Sequence, residues 1–147
     1  MRFMGSASLY PHVQGMFSEF FVLGERQCYP VAGDVTLGEL AFAEPLAVAL
    51  HAIHRGTDLI GKSVLITGAG TIGCLTVIAA RLAGAKSVAV SDILDRPLAK
   101  AREVGADRTL RADREADALT TPQFDVCFEV SGSFAALKSC VAAAKRG

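Results

Sequence analysis

At 147 residues, about half of them hydrophobic, the chain is long enough for one packed domain, or for one domain and part of another. Lys plus Arg and Asp plus Glu balance at 15 each, which argues against nucleic acid or a membrane surface as a partner. Apolar runs are short and broken by glycine or charge, so no transmembrane span is expected. The opening MRFMGSASLYPH holds no apolar stretch of signal-peptide length, and a cytoplasmic location is expected.

The first thirty or so residues do not read as the start of a domain. Phe17-Ser18-Glu19-Phe20-Phe21-Val22-Leu23 has strand composition between Gly15 and Gly24. Cys28-Tyr29-Pro30-Val31 suits a short edge strand, because Pro30 cannot donate to a ladder. Two such strands cannot bury a core, so they are expected to belong to a larger sheet. Thr36-Leu37-Gly38-Glu39 fits a capping box with Thr36 as N-cap. The helix it opens is expected to stop near Ala43, since Pro45 disfavours helical geometry at Glu44. Pro45 then suits the first position of a second helix to about Arg55, with Leu46, Ala49, Leu50 and Ile53 as its buried stripe and Gly56 as its stop.

From Gly61 onward strands and helices alternate. Ser63–Thr67 reads as a strand buried on both faces. Gly68-Ala69-Gly70-Thr71-Ile72-Gly73 fits G-x-G-x-x-G, and an apolar helix pattern runs from Thr71 to Ala83. Strand, glycine turn and helix in that order are the context in which this motif signals dinucleotide binding. Gly68 permits the tight turn, Gly70 leaves a pyrophosphate room at the backbone, and Gly73 lets the helix lie close. The helix N-terminus offers free N–H groups and a partial positive charge. A second strand over Ser87–Ser91 ends at Asp92, nineteen positions after Gly73. Its carboxylate there suits the adenosine ribose hydroxyls, or, on a purely structural reading, the cap of the next helix.

That helix is expected from about Asp95 to Val104, followed by a short third strand over Arg108–Leu110. The polar stretch 111–122 holds at most a loose helix. A fourth strand spans Phe124–Val130, and Ser133–Lys145 is a final helix. This alternation builds a parallel sheet with right-handed crossovers. The expected fold is α/β: an incomplete doubly wound (Rossmann) sheet of order 3-2-1-4, without strands five and six. Cys28, Cys74, Cys127 and Cys140 are scattered with no C-x-x-C, and read as thiols rather than a metal cluster.

The GAGTIG turn, Asp92, the run Ala43-Glu44-Pro45-Leu46-Ala47-Val48 and the stretch Arg2–Phe17 together resemble the medium-chain, zinc-dependent alcohol and polyol dehydrogenases. Gly105-Ala106-Asp107 and Phe128-Glu129-Val130-Ser131-Gly132 match as well, so the resemblance covers essentially the whole chain. It implies an oxidoreductase that moves a hydride between a polyol or sugar-acid carbinol and NAD, with NADP possible. It also implies a homo-oligomeric family. Residues 1–44 would be a remnant of the β-rich, GroES-like catalytic domain and its connecting helix. Residues 45–147 would be the nucleotide-binding domain, cut before strand five. Gly68, Gly70, Thr71, Ile72 and Gly73 would hold the pyrophosphate, Asp92 the ribose, and Ser131 and Gly132 would lie beside the cofactor.

By the same resemblance Glu44 would stand at the catalytic zinc, directly or through water. A carboxylate is an acceptable zinc ligand, although the start of a helix also favours an acid. The family's zinc cysteine, its Gly-His-Glu segment and its four-cysteine lobe have no counterpart in these residues, and Met1 stands where the subgroup has a cysteine. One carboxylate cannot hold a catalytic zinc, so zinc belongs to the full-length family enzyme and this piece alone is expected to be inactive.

Arg96 follows the second strand closely enough to stack on adenine or meet a 2′-phosphate. His12 suits either a polyol pocket or a loop, and His51 and His54 read as helix surface. Arg108, Arg111 and Arg114 read as a solvated face, with no aromatic interleaving to suggest nucleic acid. Two other functions fit the same residues. One is a non-catalytic nucleotide-binding or self-associating module, pairing through the strand-four edge. The other is an S-adenosylmethionine methyltransferase, which the Glu44-Pro45 region and the tight GAGTIG spacing oppose.

Overall fold

The computed structural model describes residues 4–5, 10–31 and 33–146. The chain divides into two compact units, Met1–Thr36 and Leu37–Gly147. In the first unit the only regular element among the described residues is a short 3₁₀ turn, Glu25–Gln27. The strands expected over 17–23 and 28–31 do not form. A strand's N–H and C=O groups need a neighbour to pair with, and no described segment supplies one. Phe17, Phe20 and Val22 consequently stand in the open. His12 is exposed and meets Tyr10 edge-on, with ring centroids 6.0 Å apart. Met1, Arg2, Phe3 and residues 6–9, part of the stretch that carries the resemblance, lie outside the described residues.

The second unit opens with α1 (Leu37–Leu40) and α2 (Ala43–Arg55). Contrary to expectation, Glu44 is helical and Pro45 sits in the third helical position rather than the first. The first intrahelical bond runs from Leu46 N–H to Phe42 O at 2.9 Å. A proline one residue earlier therefore costs no hydrogen bond. Leu46, Ala49 and Ile53 pack against Leu75, Ile78 and Ala79 of α3 (Thr71–Leu82). Leu50, expected in that stripe, is 45% exposed. It lies about 100° round the helix from Ala49, beyond the narrow seam that one neighbouring helix covers.

The sheet contains β1 (Ser63–Thr67), β2 (Ser87–Asp92), β3 (Arg108–Arg111) and β4 (Val126–Glu129). Their order is β3-β2-β1-β4, all parallel, with Val64 opposite both Val88 and Val126. Side chains alternate between two cores. Val64, Ile66, Val88 and Val90 face α3 and α4 (Asp95–Glu103), where Val77, Ala80, Leu98 and Ala101 meet them. Leu65, Ala89 and Leu110 face the other side and pack with Leu119, Phe124 and Ala143. Cover on both faces is what allows Val64, Leu65 and Ile66 of β1 to be apolar in succession.

The polar stretch 111–122 condenses into a 3₁₀ turn, Ala116–Leu119, whose Leu119 plugs the second core. The final helix, α5, runs over Phe134–Ala143, shorter than expected. Phe124 captures the chain beyond it: Lys145 N–H donates to Phe124 O at 2.8 Å, and Phe124 N–H to Ala143 O at 3.1 Å. Phe124 and Ala144 thereby form a parallel bridge. Among the described residues, Val126–Glu129 has no ladder partner on its outer edge.

Candidate functional site: the turn between the first strand and its helix

The carboxyl ends of β1, β2 and β4 meet at the glycine turn, and each glycine there does a different job. Gly68 has φ +100°, and a Cβ on it would sit 2.9 Å from the Ser131 backbone. No other residue fits both the dihedral and the space. A Cβ on Gly73 would lie 2.0 Å from the Gly68 carbonyl oxygen, an overlap that would push α3 off the turn. Gly70, the N-cap of α3, faces open space with nothing within 4 Å. It carries no capping side chain. Cys74 N–H makes the first bond of the helix, to Gly70 O at 2.9 Å. The N–H groups of Thr71, Ile72 and Gly73 therefore have no intrahelical acceptor and point out at the positive end of the helix dipole.

Asp92 closes β2 on the same side. Its Oδ2 accepts the Ala69 N–H at 2.8 Å and its Oδ1 the Leu94 N–H at 3.0 Å. Gly68 N–H donates to Ser91 O at 2.7 Å, tying turn and strand end together. No charged group pairs with Asp92 among the described residues. A cavity of about 560 Å³ opens here, lined by Gly68, Gly70, Asp92 and Ser131 among others, with Ile93 and Leu119 as apolar walls. Its size is that of a small-ligand pocket. Asp113 also reaches it, its carboxyl held below its ordinary value by the hydrogen bond with Arg111.

At the end of β4 the chain turns sharply. Glu129 Oε1 accepts three donors: Ser131 N–H at 2.7 Å, Ser131 Oγ–H at 2.6 Å and Gly132 N–H at 3.1 Å. Ser133 N–H donates in turn to Ser131 Oγ at 3.1 Å. Burial pushes the Glu129 carboxyl up, but these donors outweigh it and hold the group below its ordinary value.

The expected site residues thus separate. Gly68, Gly70, Asp92 and Ser131 line one cavity. Thr71 and Arg96 line a neighbouring groove of about 830 Å³ between α3 and α4, which Gly70 also borders. Ile72, Gly73 and Gly132 line neither. Glu44 is exposed in the first turn of α2. Among the described residues no group of three His, Cys, Asp or Glu side chains could hold a metal, and His51 and His54 are exposed. The described residues therefore do not make a donor set for zinc. Arg111 departs from the solvated-face reading: it is ion-paired to Asp95 at 2.6 Å and to Asp113 at 2.8 Å. Sequence reasoning missed Glu129 and Asp113 as neighbours of the site. The only signal for Glu129 was an acid two residues before the serine of a strand-ending Ser-Gly.

A doubly wound sheet with a glycine turn opening a helix, and an acid closing the adjacent strand, defines an NAD(P)-binding domain of Rossmann type. The family described as zinc-binding dehydrogenase matches residues 71–147, and the chain belongs to that family of oxidoreductases. The chain is 40% identical over 144 residues to L-idonate 5-dehydrogenase (NAD(P)(+)) of Escherichia coli, spanning 96% of this chain and 42% of the relative. The crystal structure of the Escherichia coli L-idonate 5-dehydrogenase superposes with a TM-score of 0.90 at 39% identity, over 98% of this chain and 42% of that one. A zinc-binding dehydrogenase from Sinorhizobium meliloti bound to NADP gives 0.84 at 31% identity, over 91% and 42%. The chain therefore spans about two fifths of the length of these relatives.

Proposed function

We infer that residues 45–147 bind NAD(P) for a dehydrogenase that interconverts a polyol or sugar-acid alcohol, of the L-idonate kind, and its ketone. Residues 1–44 belong, on this reading, to the catalytic domain and its connecting helix. The observation that carries the inference is the Asp92 carboxylate bonded to the Ala69 N–H of the glycine turn. It supports the reading because Asp92 and Gly70, the N-cap of α3, line one cavity. The diphosphate lies on the free N–H groups of Thr71, Ile72 and Gly73, in the space Gly70 leaves open. Asp92 exchanges a backbone donor for the adenosine ribose hydroxyls, with Ser131 and Gly132 beside the cofactor. Arg96, which borders the neighbouring groove with Gly70 and Thr71, meets the adenosine end on this reading. Two carboxylates on the cavity wall, Asp92 and Asp113, disfavour an added 2′-phosphate, so NAD is preferred over NADP.

The nicotinamide supplies the hydride chemistry; this chain binds and orients it. Glu44, exposed in the first turn of α2, is a single carboxylate and does not make a zinc site by itself.

Calorimetric titration with NADH, NADPH and S-adenosylmethionine tests the reading. NADH is expected to bind about tenfold or more tightly than NADPH, and S-adenosylmethionine not at all. Gly70→Ala should keep the thermal midpoint and lose NADH affinity by roughly tenfold, since its methyl occupies only the space meant for phosphate. A folded chain that ignores all three ligands would leave self-association through the open β4 edge as the better account.

A further inference from the structure

We propose that Glu129 is a positioning residue that shapes the β4 side of the cavity for the nicotinamide half of the dinucleotide; the proposal rests on the function inferred above. A dinucleotide whose diphosphate sits at the start of α3 straddles β1. The strand order is β3-β2-β1-β4. Asp92, at the end of β2, takes the adenosine half, so the other nucleoside extends over β4, toward the Ser131-Gly132 turn. That turn holds its shape through a single oxygen. Glu129 Oε1 gathers the N–H and Oγ–H of Ser131 and the N–H of Gly132, and Ser131 Oγ passes the constraint on to Ser133 N–H. Gly132 itself has φ +71°, so the turn is a specific conformation and not a loose end.

The turn is also pressed against the phosphate loop. The Ser131 backbone occupies the place where Gly68 would otherwise carry a side chain, 2.9 Å from that Cβ position. Ser131 lines the cavity whereas Glu129 does not. Glu129 thus acts on the cavity through its neighbour, by fixing where the Ser131 backbone and hydroxyl stand. A carboxylate collecting three donors on one oxygen is a strong constraint, because charge-assisted bonds are roughly twice as strong as neutral ones.

The test compares two ligands on the 147-residue chain by titration calorimetry. ADP reads the glycine turn and Asp92 alone, and NADH reads these plus the β4 side. Glu129→Ala is expected to weaken NADH by about tenfold while leaving ADP within roughly twofold. Glu129→Gln keeps an acceptor oxygen at the same reach and should restore NADH binding to within about threefold of the parent. If Glu129→Ala does not fold, Ser131→Ala carries the test, with an NADH-selective loss of about threefold. Equal losses for ADP and NADH, or no loss for either, would overturn the proposal and leave the dinucleotide site standing. A parent chain that binds neither ligand would overturn both.

Discussion

The two ends of the sheet use the same side chain for opposite purposes. At the amino ends, an aspartate just before a strand reaches across to the first N–H groups of its neighbour. Asp107, before β3, accepts Val88 N–H at 2.7 Å and is ion-paired to Arg81 of α3. Asp125, before β4, accepts Ser63 N–H at 2.8 Å and Ser63 Oγ–H at 2.6 Å, with Lys145 Nζ at 2.8 Å. Lys145 first, then the Ser63 donors, hold the Asp125 carboxyl far below the usual range. At the carboxyl ends, Asp92 and Glu129 accept only backbone N–H and hydroxyl donors, and no cation pairs with either among the described residues. The two carboxylates that close the amino ends are neutralised in place. Asp92, which lines the cavity, and Glu129, which stands behind Ser131, are held by neutral donors, and at Asp92 ligand hydroxyls can replace them without leaving a buried cation behind.

Gly73→Ala is the hardest blow to this contrast, because it strikes the shape of the carboxyl end itself. Its Cβ would have to coincide with the Gly68 carbonyl. Turn and helix must part, at an expected cost of about 3 kcal/mol or more in chemical denaturation. An alanine accepted without loss would mean that α3 does not seat on the turn as described.

Asp92→Ala comes next, and it separates binding from stability. Removing the carboxylate frees Ala69 N–H and Leu94 N–H beside an open cavity, where water can satisfy them. The thermal midpoint should move little. NADH affinity should fall by about 10- to 100-fold, the net worth of roughly one hydroxyl bond to a charged acceptor once the displaced backbone donor is counted against the second. Titration calorimetry and a melting curve on one preparation decide it. A large drop in midpoint with binding intact would place Asp92 with the structural aspartates.

Of the contrast's four carboxylates only Asp92 is legible in the residues, together with the glycine turn beside it, and the reasons are local. β1, its glycine turn and α3 were readable because one short segment carries a buried-strand run, three glycines and an apolar helix pattern in sequence. Asp92 followed from the end of the next strand. The strands expected at 17–23 and 28–31 were not realised, since composition shows that a segment can pair but not whether a partner exists. Leu50 lies outside the buried stripe because periodicity fixes the centre of a helix stripe and leaves its width to the neighbour. Asp125 and Asp107 show nothing in the sequence of the bonds they make, and Glu129 shows only its place two residues before Ser131. Each works through backbone groups two to sixty-two residues away, and only the sheet register reveals which.

Asp107→Ala tests the amino end and should give the smallest effect of the three. It removes one acceptor from the Val88 N–H and a partly exposed ion pair to Arg81. The exposed pair contributes little, so the loss should be about 1 kcal/mol at neutral pH, with NADH affinity unchanged. Burial pushes the Asp107 carboxyl up, but Val88 N–H and Arg81 outweigh it and hold the group below its ordinary value. A carboxyl depressed in the folded state stabilises fully above its unfolded value near pH 4 and loses that contribution as pH falls below it. The gap between parent and variant should therefore be constant from about pH 7 to pH 5 and shrink below about pH 4, as the parent's aspartate takes up its proton. Melting curves across that range check the sign. A gap that widens on acidification would mean that the carboxyl is raised in the folded chain, and that the amino-end clamp works as a neutral acceptor instead of a charged one.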